Sequence, residues 1–367
     1  MRFFSYYKDN SLINLSNSIL KRFGVNVFHN SNEKLDKILQ KHCKIALFLF
    51  DGFGKSIAEK HLTKDSFLLK NKFDIISSTF PPTTVAATNG FKSGRYPAEI
   101  GWLGWTFLDK NENRVIEYFT KRNYRTKKHE DFDYSIYNYD SIFKLIKDKN
   151  PNLSVYENYS REISDGPKDG FKTMNQMMKK ANNFLKNKEE GLIYSYYLEP
   201  DHSLHGLGTS HKKISRICRE INKKVQKFAE KNPDTLVLVF ADHSHIDVEP
   251  LFFDDMKELQ ECVTNIYAVE SRCATFVIKD GKENDFLNYY NRELKDHYDL
   301  LTKEQAIGLK LFGDTDKTEW VEKLLGDYLL IAIGHKSFEN FKDDPMKASH
   351  AGGTEEENLI NLYVINK

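Results

Sequence analysis

Short apolar runs alternate with longer amphipathic stretches along much of the chain. The runs occupy residues 45–50, 73–78, 193–198, 236–241 and 359–365. Near-continuous apolar segments of this length are typical of strands buried on both faces, as in parallel sheets covered by helices. Between them, residues 168–188 and 214–231 carry helical patterns. The alternation predicts an α/β fold in which an open, mostly parallel sheet is sandwiched by helices.

Two stretches interrupt this rhythm. Residues 107–151 are rich in Lys, Asn and Tyr and lack a clear period, whereas residues 250–340 mix strand-like segments with amphipathic helical ones. A chain of 367 residues is long enough for about two domains. We therefore predict a core domain of residues 1–249 and 341–367, with residues 250–340 inserted as a smaller α+β cap domain.

Composition limits the partners of the protein. Hydrophobic residues make up 40% of the chain, which excludes disorder for most of it. The 54 Lys and Arg residues nearly balance the 53 Asp and Glu residues, for a net charge of +1. Proteins that bind nucleic acid by neutralising its phosphates normally carry a basic excess. No stable nucleic-acid partner is expected.

The N-terminal segment and the cysteines predict the compartment. The first residues have no apolar signal-peptide core, and the longest apolar runs span about six residues, against the about 20 that a membrane helix needs. Cys43, Cys218, Cys262 and Cys273 are scattered and form no Cys-x-x-Cys pair. We expect a cytoplasmic protein with no membrane partner.

Acids and histidines follow the predicted strands. Asp51 comes directly after the first run, Asp201 and His205 follow the third, and Asp242 and His243 follow the fourth. In open α/β sheets the ligand crevice lies beyond the carboxyl ends of the strands, so these groups are expected to converge. Gathered carboxylates need a compensating cation, and mixed oxygen and nitrogen ligands suit Zn²⁺ or Mn²⁺.

A segment rich in hydroxyls is the candidate source of a nucleophile. The stretch TFPPTTVAATNG follows the second run, and its small residues predict the start of a helix. Its candidate hydroxyls are those of Thr79, Thr83, Thr84 and Thr88. A hydroxyl at a helix N-terminus commonly caps the helix, but a metal-bound hydroxyl is an activated nucleophile. The residues alone leave both roles open.

Five segments resemble the alkaline phosphatase superfamily, and more closely its nucleotide pyrophosphatase/phosphodiesterase branch, which includes bacterial proteins described only as alkaline phosphatase family. They occur in the family's order from residue 45 to about residue 362: DGFG, TFPPTT…SGRYPAEIGWLGW, EPDHSLHGLG, ADHSH and SHAGGTEEENLI. The resemblance implies an alkaline-phosphatase-like core and a nucleophile ten residues before Gly94, which is Thr84.

The resemblance also implies two divalent metal ions, with Zn²⁺ as the first expectation and Mn²⁺ as the alternative. The implied ligands of one ion are Asp51, Thr84, Asp242 and His243, and those of the other are Asp201, His205 and His350. His202, His211 and His245 remain outside this set. We interpret His202 and His245 as exposed neighbours of the ligands rather than as partners of the metal site.

The chain departs from the branch at a substrate contact. Ile100 and Trp105 stand where the branch carries a His and an Asn, the latter of which binds phosphoryl oxygens. Backbone N–H groups near Thr84 and Val85 are the expected replacement. Candidate substrate contacts are Asn89, Trp105 and Arg272, although Arg272 fits a strand-edge salt bridge equally well, and Trp102, Trp105 and Phe107 also fit core packing.

The resemblance implies a metal-dependent hydrolase of phosphodiester or phosphoanhydride bonds, with an in-line displacement between two metals and a phosphothreonine intermediate. The expected partner is a small phosphorylated substrate such as a nucleotide. A phosphomonoesterase and a Mn²⁺-dependent phosphomutase of the same superfamily are alternatives, and a non-catalytic metal- or phosphate-binding protein is an alternative of another class. The leaving group, the native metal and the oligomeric state stay open.

Overall fold

The computed structural model describes residues 2–162, 170–343 and 345–367. The start of the helix predicted over residues 168–188 lies at Lys168 and Asp169, outside the described residues. Within the described part of the chain, no helix is both long and apolar enough to cross a bilayer.

The strands are numbered in chain order. They are β1 Lys44–Phe50, β2 Lys72–Ser77, β3 Thr106–Asp109, β4 Arg114–Glu117, β5 Ser154–Tyr159, β6 Gly191–Tyr197, β7 Thr235–Phe240, β8 Ile246–Asp247, β9 Glu249–Phe252, β10 Ala268–Val269, β11 Cys273–Phe276, β12 Tyr298–Thr302, β13 Tyr328–Ala332, β14 Lys336–Glu339, β15 Ala348–Ser349 and β16 Leu359–Ile365.

The helices are numbered in the same way. They are α1 Leu12–Arg22, α2 Glu33–Leu39, α3 Lys55–His61, α4 Phe67–Lys70, α5 Thr84–Ser93, α6 Pro97–Ile100, α7 Ile142–Lys149, α8 Met174–Leu185, α9 Asp201–Leu207, α10 Lys212–Lys231, α11 Lys257–Cys262, α12 Glu283–Tyr289, α13 Lys303–Gly308, α14 Glu319–Leu324 and α15 Glu355–Asn358. Short 3₁₀ turns at Tyr134–Tyr137 and Phe253–Asp255 and a π-helical turn at Tyr290–Leu294 complete the elements.

The central sheet has the strand order β2-β16-β7-β1-β6-β5. Strand β1 runs parallel to β6 and β7, and β5 runs parallel to β6, whereas β16 is antiparallel to both of its neighbours. The register aligns Phe50 with Tyr197 and Leu49 with Phe240, so these strands end at one edge of the sheet. The prediction of a mostly parallel α/β sheet is confirmed.

Helices cover both faces of this sheet. Successive strand residues point to opposite faces. On one face, Phe48 packs edge-on against Phe228 of α10, with ring centroids 4.9 Å apart. On the other, Phe91 of α5 contacts Tyr194 and Phe240 at 5.6 and 5.0 Å. Burying each such ring stabilises the fold by about 1.5–3 kcal/mol, which holds α5 and its N-terminus against the sheet.

A second sheet lies within the segment predicted to form the cap. Its order is β10-β11-β13-β12, and all its pairings are antiparallel. Strand β14, near the end of the segment, pairs with β9 near its start. The segment shares an apolar cluster with the core, in which Phe80 and Val85 pack with Phe312 and Ile331. The boundaries at residues 249/250 and 340/341 stay a prediction.

Candidate active site

Three carboxylates meet at the edge where the parallel strands end. Asp51 follows β1, Asp201 begins α9, and Asp242 lies just beyond β7. The backbone ties two of them together, because the Asp201 N–H donates to the Asp51 carbonyl at 3.0 Å. The Gly52 N–H donates to Asp242 Oδ1 at 3.1 Å. Gly52 has φ +67°, and a Cβ there would lie 3.0 Å from Asp201, so this turn requires glycine.

The predicted nucleophile reaches this edge at the N-terminus of α5. Thr84 is the first residue of the helix, and its Oγ1 lies 3.0 Å from His243 Nε2 and 3.4 Å from Asp51 Oδ1. The other candidate hydroxyls donate elsewhere: Thr88 to the Thr84 carbonyl, and Thr79 to the Pro81 carbonyl. Thr83 donates to Glu270. Of the four hydroxyls left open by the sequence, that of Thr84 is therefore the one beside the three aspartates.

One candidate metal group surrounds Thr84. His243 Nε2 lies 3.4 Å from Asp51 Oδ1 and 3.6 Å from Asp242 Oδ2. Asp242 Oδ2 is buried and has no hydrogen-bond partner among the described residues. Burial, together with the charges of Asp201 and Asp242, raises the pKa of Asp51 well above its usual value. An orphaned oxygen among crowded carboxylates fits a divalent cation, which would offset their repulsion.

A second candidate group lies around Asp201. Asp201 and His205 are one helical turn apart on α9, and His205 Nε2 lies 3.3 Å from Asp201 Oδ1. The loop after β15 brings His350 Nε2 to 3.8 Å from the same oxygen. His205 Nδ1 lies 3.0 Å from the Ala348 carbonyl, a contact that orients the ring as in many metal sites. Burial and the charge of His243 lower the pKa of His350 well below its usual value, which keeps the imidazole in its ligating, neutral form.

The structure brings all seven residues of the implied ligand set together. The ligand atoms of Asp51, Asp201 and His243 lie within 4.8 Å of one another. The ligand atoms of a second group, Asp201, His205, His245 and His350, also lie within 4.8 Å of one another. This group contains His245 in addition to the three ligands that the resemblance implies.

His245 was interpreted from the sequence as an exposed neighbour, and this was wrong. Its side chain is fully buried, and its Nε2 lies 2.6 Å from Asp201 Oδ1. A signal was present in the sequence, because His245 comes only two residues after the implied ligand His243, and the two ring centroids lie 5.4 Å apart. His202, by contrast, is exposed, and His211 caps α10 by accepting from the Lys213 N–H.

A cavity of about 430 Å³ opens onto these groups. It is lined by Thr84, Asp201, His205 and His350, by the carboxyl groups of Glu117, Glu270, Glu339 and Asp343, and by the rings of Trp105, Tyr124, Tyr267 and Phe341, among others. A larger and more open cavity of about 1280 Å³ lies along residues 25–34 but contains none of the predicted site residues. The smaller cavity therefore defines the candidate active site.

Glu270, which the sequence interpretation did not single out, lies beside the nucleophile. It is only 9% exposed, and its Oε1 accepts from Thr83 Oγ1 at 2.5 Å and from the Trp105 N–H at 2.7 Å. Burial raises the pKa of Glu270 to about 7. The preceding Val269 has φ +74°, which is rare for a β-branched residue and marks a strained turn. The cap segment thus places an acid against the turn that carries Thr84.

The three predicted substrate contacts have different surroundings. Trp105 lines the cavity. Asn89 donates to the Val85 carbonyl at 2.8 Å and accepts from the Tyr139 hydroxyl at 2.6 Å. Arg272 is fully buried in an ion pair with Glu357, so the salt-bridge alternative describes its position. Neither Asn89 nor Arg272 is among the residues that line the cavity.

Comparisons with known proteins complete the description. The sequence profile of a family described as type I phosphodiesterase/nucleotide pyrophosphatase matches residues 45–321. No curated protein matches the chain. The solved structure of murine ectonucleotide pyrophosphatase/phosphodiesterase 5 is 14% identical, with a TM-score of 0.64, and the match covers 87% of each chain. The human counterpart is 13% identical, with a TM-score of 0.65, covering 88% of this chain and 87% of that one. An inactive variant of the murine protein, in complex with AMP, has the same TM-score as the murine structure.

Proposed function

Since the chain belongs to the type I phosphodiesterase/nucleotide pyrophosphatase family and is a phosphoric ester hydrolase, we propose that it cleaves phosphodiester or phosphoanhydride bonds of small nucleotides through a phosphothreonine at Thr84. The observation that supports this most directly is the position of the Thr84 hydroxyl. It lies 3.0 Å from His243 Nε2 and 3.4 Å from Asp51 Oδ1, and Thr84 lines the cavity.

In the proposed first step the Thr84 hydroxyl loses its proton to solvent and Oγ attacks phosphorus to form a new Oγ–P bond. The P–O bond to the leaving group breaks with its electron pair, and the leaving oxygen departs as an anion or takes up a proton from solvent. Water then attacks the phosphothreonine and restores the threonine hydroxyl. The same two sets of residues that the resemblance implies would hold the divalent cations. Zn²⁺ is the proposed ion and Mn²⁺ its alternative, since both accept carboxylate and imidazole ligands. Bound cations would lower the pKa of a coordinated hydroxyl and would offset the negative charge on the attacking and the leaving oxygen.

The N-terminus of α5 is the proposed site for the phosphoryl oxygens. The first N–H groups of a helix have no partner within it, and they attract anions. Thr84 and Val85 begin this ten-residue helix. Trp105 stands where the branch carries its phosphoryl-binding Asn. The backbone N–H of Trp105 already donates to Glu270 Oε1. The helix N–H groups therefore take over the contact that an Asn makes elsewhere.

The proposed substrate is a nucleotide. A murine relative of this fold has been solved in complex with AMP. Four aromatic side chains line the cavity, and aromatic faces stack on bases of any sequence. A cavity of about 430 Å³ is in the range for one small ligand. Cleavage of a small nucleotide does not require stable binding of nucleic acid, so the net charge of +1 is compatible with this substrate.

Replacing Thr84 tests the proposal. We expect Thr84→Ala to lower turnover of bis(p-nitrophenyl) phosphate by about 10³-fold or more, since a nucleophile is lost, and Thr84→Ser to keep part of it. Thr88→Ala is the matched control, because its hydroxyl only bonds back to the Thr84 carbonyl. Wild-type protein mixed rapidly with bis(p-nitrophenyl) phosphate and quenched in acid should carry one p-nitrophenyl phosphoryl group on Thr84 by mass spectrometry, since only one of the two p-nitrophenolates leaves in the first step.

The same assay separates the alternatives. A diesterase prefers bis(p-nitrophenyl) phosphate over p-nitrophenyl phosphate, a monoesterase shows the reverse order, and an inert binder turns over neither. EDTA should abolish the activity, and added Zn²⁺ or Mn²⁺ should restore it. A Thr84→Ala protein that holds its metal and keeps most of its turnover would contradict the nucleophile.

A further inference from the structure

The group around Asp201 contains a histidine that the implied ligand set does not use. His245 Nε2 lies 2.6 Å from Asp201 Oδ1, closer than either His205 or His350 Nε2. Its ring centroid lies 4.9 Å from that of His205 and 5.0 Å from that of His350, and both rings meet it nearly edge-on. Three imidazoles therefore converge on one carboxylate oxygen.

The local backbone makes room for this ring. Gly52 is the residue whose missing side chain leaves space, since a Cβ there would lie 3.0 Å from both Asp201 and His245 Cδ2. The preceding residue is also tightly packed, because the Ser244 N–H donates to the Glu357 carbonyl at 2.9 Å and a Cβ at Gly54 would lie 2.2 Å from the Ser244 Cβ. The imidazole of His245 is thus held in place before any ion binds.

Burying the His245 imidazole has an energetic cost, because one of its ring nitrogens has no hydrogen-bond partner among the described residues. The His245 side chain is 0% exposed, and its Nδ1 has no hydrogen-bond partner among the described residues. An apolar side chain would fill the same volume without that cost. A cation between the four converging ligand atoms, which all lie within 4.8 Å of one another, gives the ring a role.

We infer that His245 is a fourth protein ligand of the Asp201 site, beside His205 and His350. The inference rests on the metal dependence in the proposed function. Catalytic zinc sites commonly have three protein ligands and one open position, whereas four protein ligands close a tetrahedral site. With His245 as a ligand, the ion at this site must accept five or more ligands to admit a substrate oxygen. Three imidazoles and one carboxylate are donors that both Zn²⁺ and Mn²⁺ accept.

Metal binding by His245 variants tests this. The variants are His245→Ala, which removes the ring, and His245→Gln, whose amide nitrogen can still donate to Asp201. His202→Ala is the matched control, since His202 is an exposed histidine beside Asp201. The readouts are metal content after dialysis, the dissociation constant from chelator competition, and the visible absorption of the Co²⁺-loaded protein, which intensifies when the coordination number falls.

In both His245 variants we expect one of the two bound ions to be held more than about 100-fold less tightly, since loss of an outer hydrogen-bond partner typically accounts for about 10–100-fold. The Co²⁺ absorption should intensify in both, and the His202→Ala protein should match the wild type. Circular dichroism of the metal-free proteins shows whether each is folded. If His245→Ala does not fold, the test rests on the metal binding of His245→Gln.

Two results would overturn the inference. One is a Co²⁺ spectrum and dissociation constants that do not change in either variant. The other is full recovery by Gln, which would make His245 only a hydrogen-bond partner that positions Asp201. Metal affinity and the Co²⁺ spectrum do not depend on turnover, so this test can fail independently of the Thr84 test. An active Thr84→Ala protein would contradict the proposed nucleophile and leave His245 as a ligand. Unchanged metal binding in the His245 variants would contradict this inference and leave the nucleophile in place.

Discussion

Breaking the buried ion pair between Arg272 and Glu357 should destabilise the protein strongly. Both side chains are 0% exposed. The Arg272 guanidinium donates to the two Glu357 oxygens at 2.7 and 2.9 Å, and to the carbonyls of Lys336 and Gly334 at 2.6 and 2.8 Å. Arg272→Met keeps most of the volume but leaves the Glu357 charge buried without its cation. Removing one partner of such a pair costs about 3–5 kcal/mol.

For a chain of 367 residues, this loss should lower Tm by about 4–6 °C. Differential scanning calorimetry of the metal-free protein measures it without the contribution of bound ions. Arg292→Met is the matched control, because Arg292 also pairs with two carboxylates but is half exposed, so its Tm should hardly change. The double variant Arg272→Met/Glu357→Gln leaves no buried charge unpaired and should recover part of the loss.

The pair also contacts the loop that carries His350, one of the proposed metal ligands. Glu357 Oε1 accepts from the Gly352 N–H at 2.7 Å, two residues after His350. We therefore expect Arg272→Met to weaken metal binding as well as lower Tm. The reasoning is refuted if Arg272→Met and Arg292→Met shift Tm equally, or if the double variant Arg272→Met/Glu357→Gln loses as much Tm as Arg272→Met alone.

Two other predictions concern the cavity wall. Burial raises the pKa of Glu270 from 4.5 to about 7, so folding carries no ionisation penalty below pH 4.5 and the full penalty, about 3 kcal/mol, above pH 7. Glu270→Gln should therefore stabilise the metal-free protein at pH 8 but not at pH 4, as measured by urea denaturation, and an equal effect at the two pH values would contradict this. Trp105→Ala should raise KM for the p-nitrophenyl ester of thymidine 5′-monophosphate by about 5- to 150-fold through lost stacking, with little change for methyl p-nitrophenyl phosphate. A uniform effect on both substrates would mean that Trp105 supports the fold rather than the base.

The sequence predicted what local patterns encode. Buried parallel strands are continuously apolar, so β1, β6 and β7 could be recognised, and with them the positions of Asp51 and Asp242 just beyond their ends. The spacing of Asp201 and His205 is one helical turn, which a sequence shows directly. The family resemblance is confirmed by the match over residues 45–321.

Long-range contacts were beyond the reach of these patterns. An apolar run does not show its direction, so nothing indicated that β16 is antiparallel to β2 and β7. Arg272 and Glu357 lie 85 residues apart, and Glu270 lies 187 residues from Thr83. Whether such a charged residue faces a cavity or a buried partner depends on how the cap segment packs against the core. The cytoplasmic location, the metal identity and the domain boundaries stay predictions.

The position of β16 determines when the central sheet can be completed during synthesis. Among the strands of the central sheet β16 comes last in sequence, yet it lies between β2 and β7, which precede it. At ribosomal rates the stretch from Phe240 to Leu359 takes about 6–24 s to make. During that interval β2 and β7 each lack the neighbouring strand that β16 provides. His350 emerges just before this strand. The central sheet therefore closes only after β16 has been made, and we expect the residues of the implied ligand set to come together at the same stage.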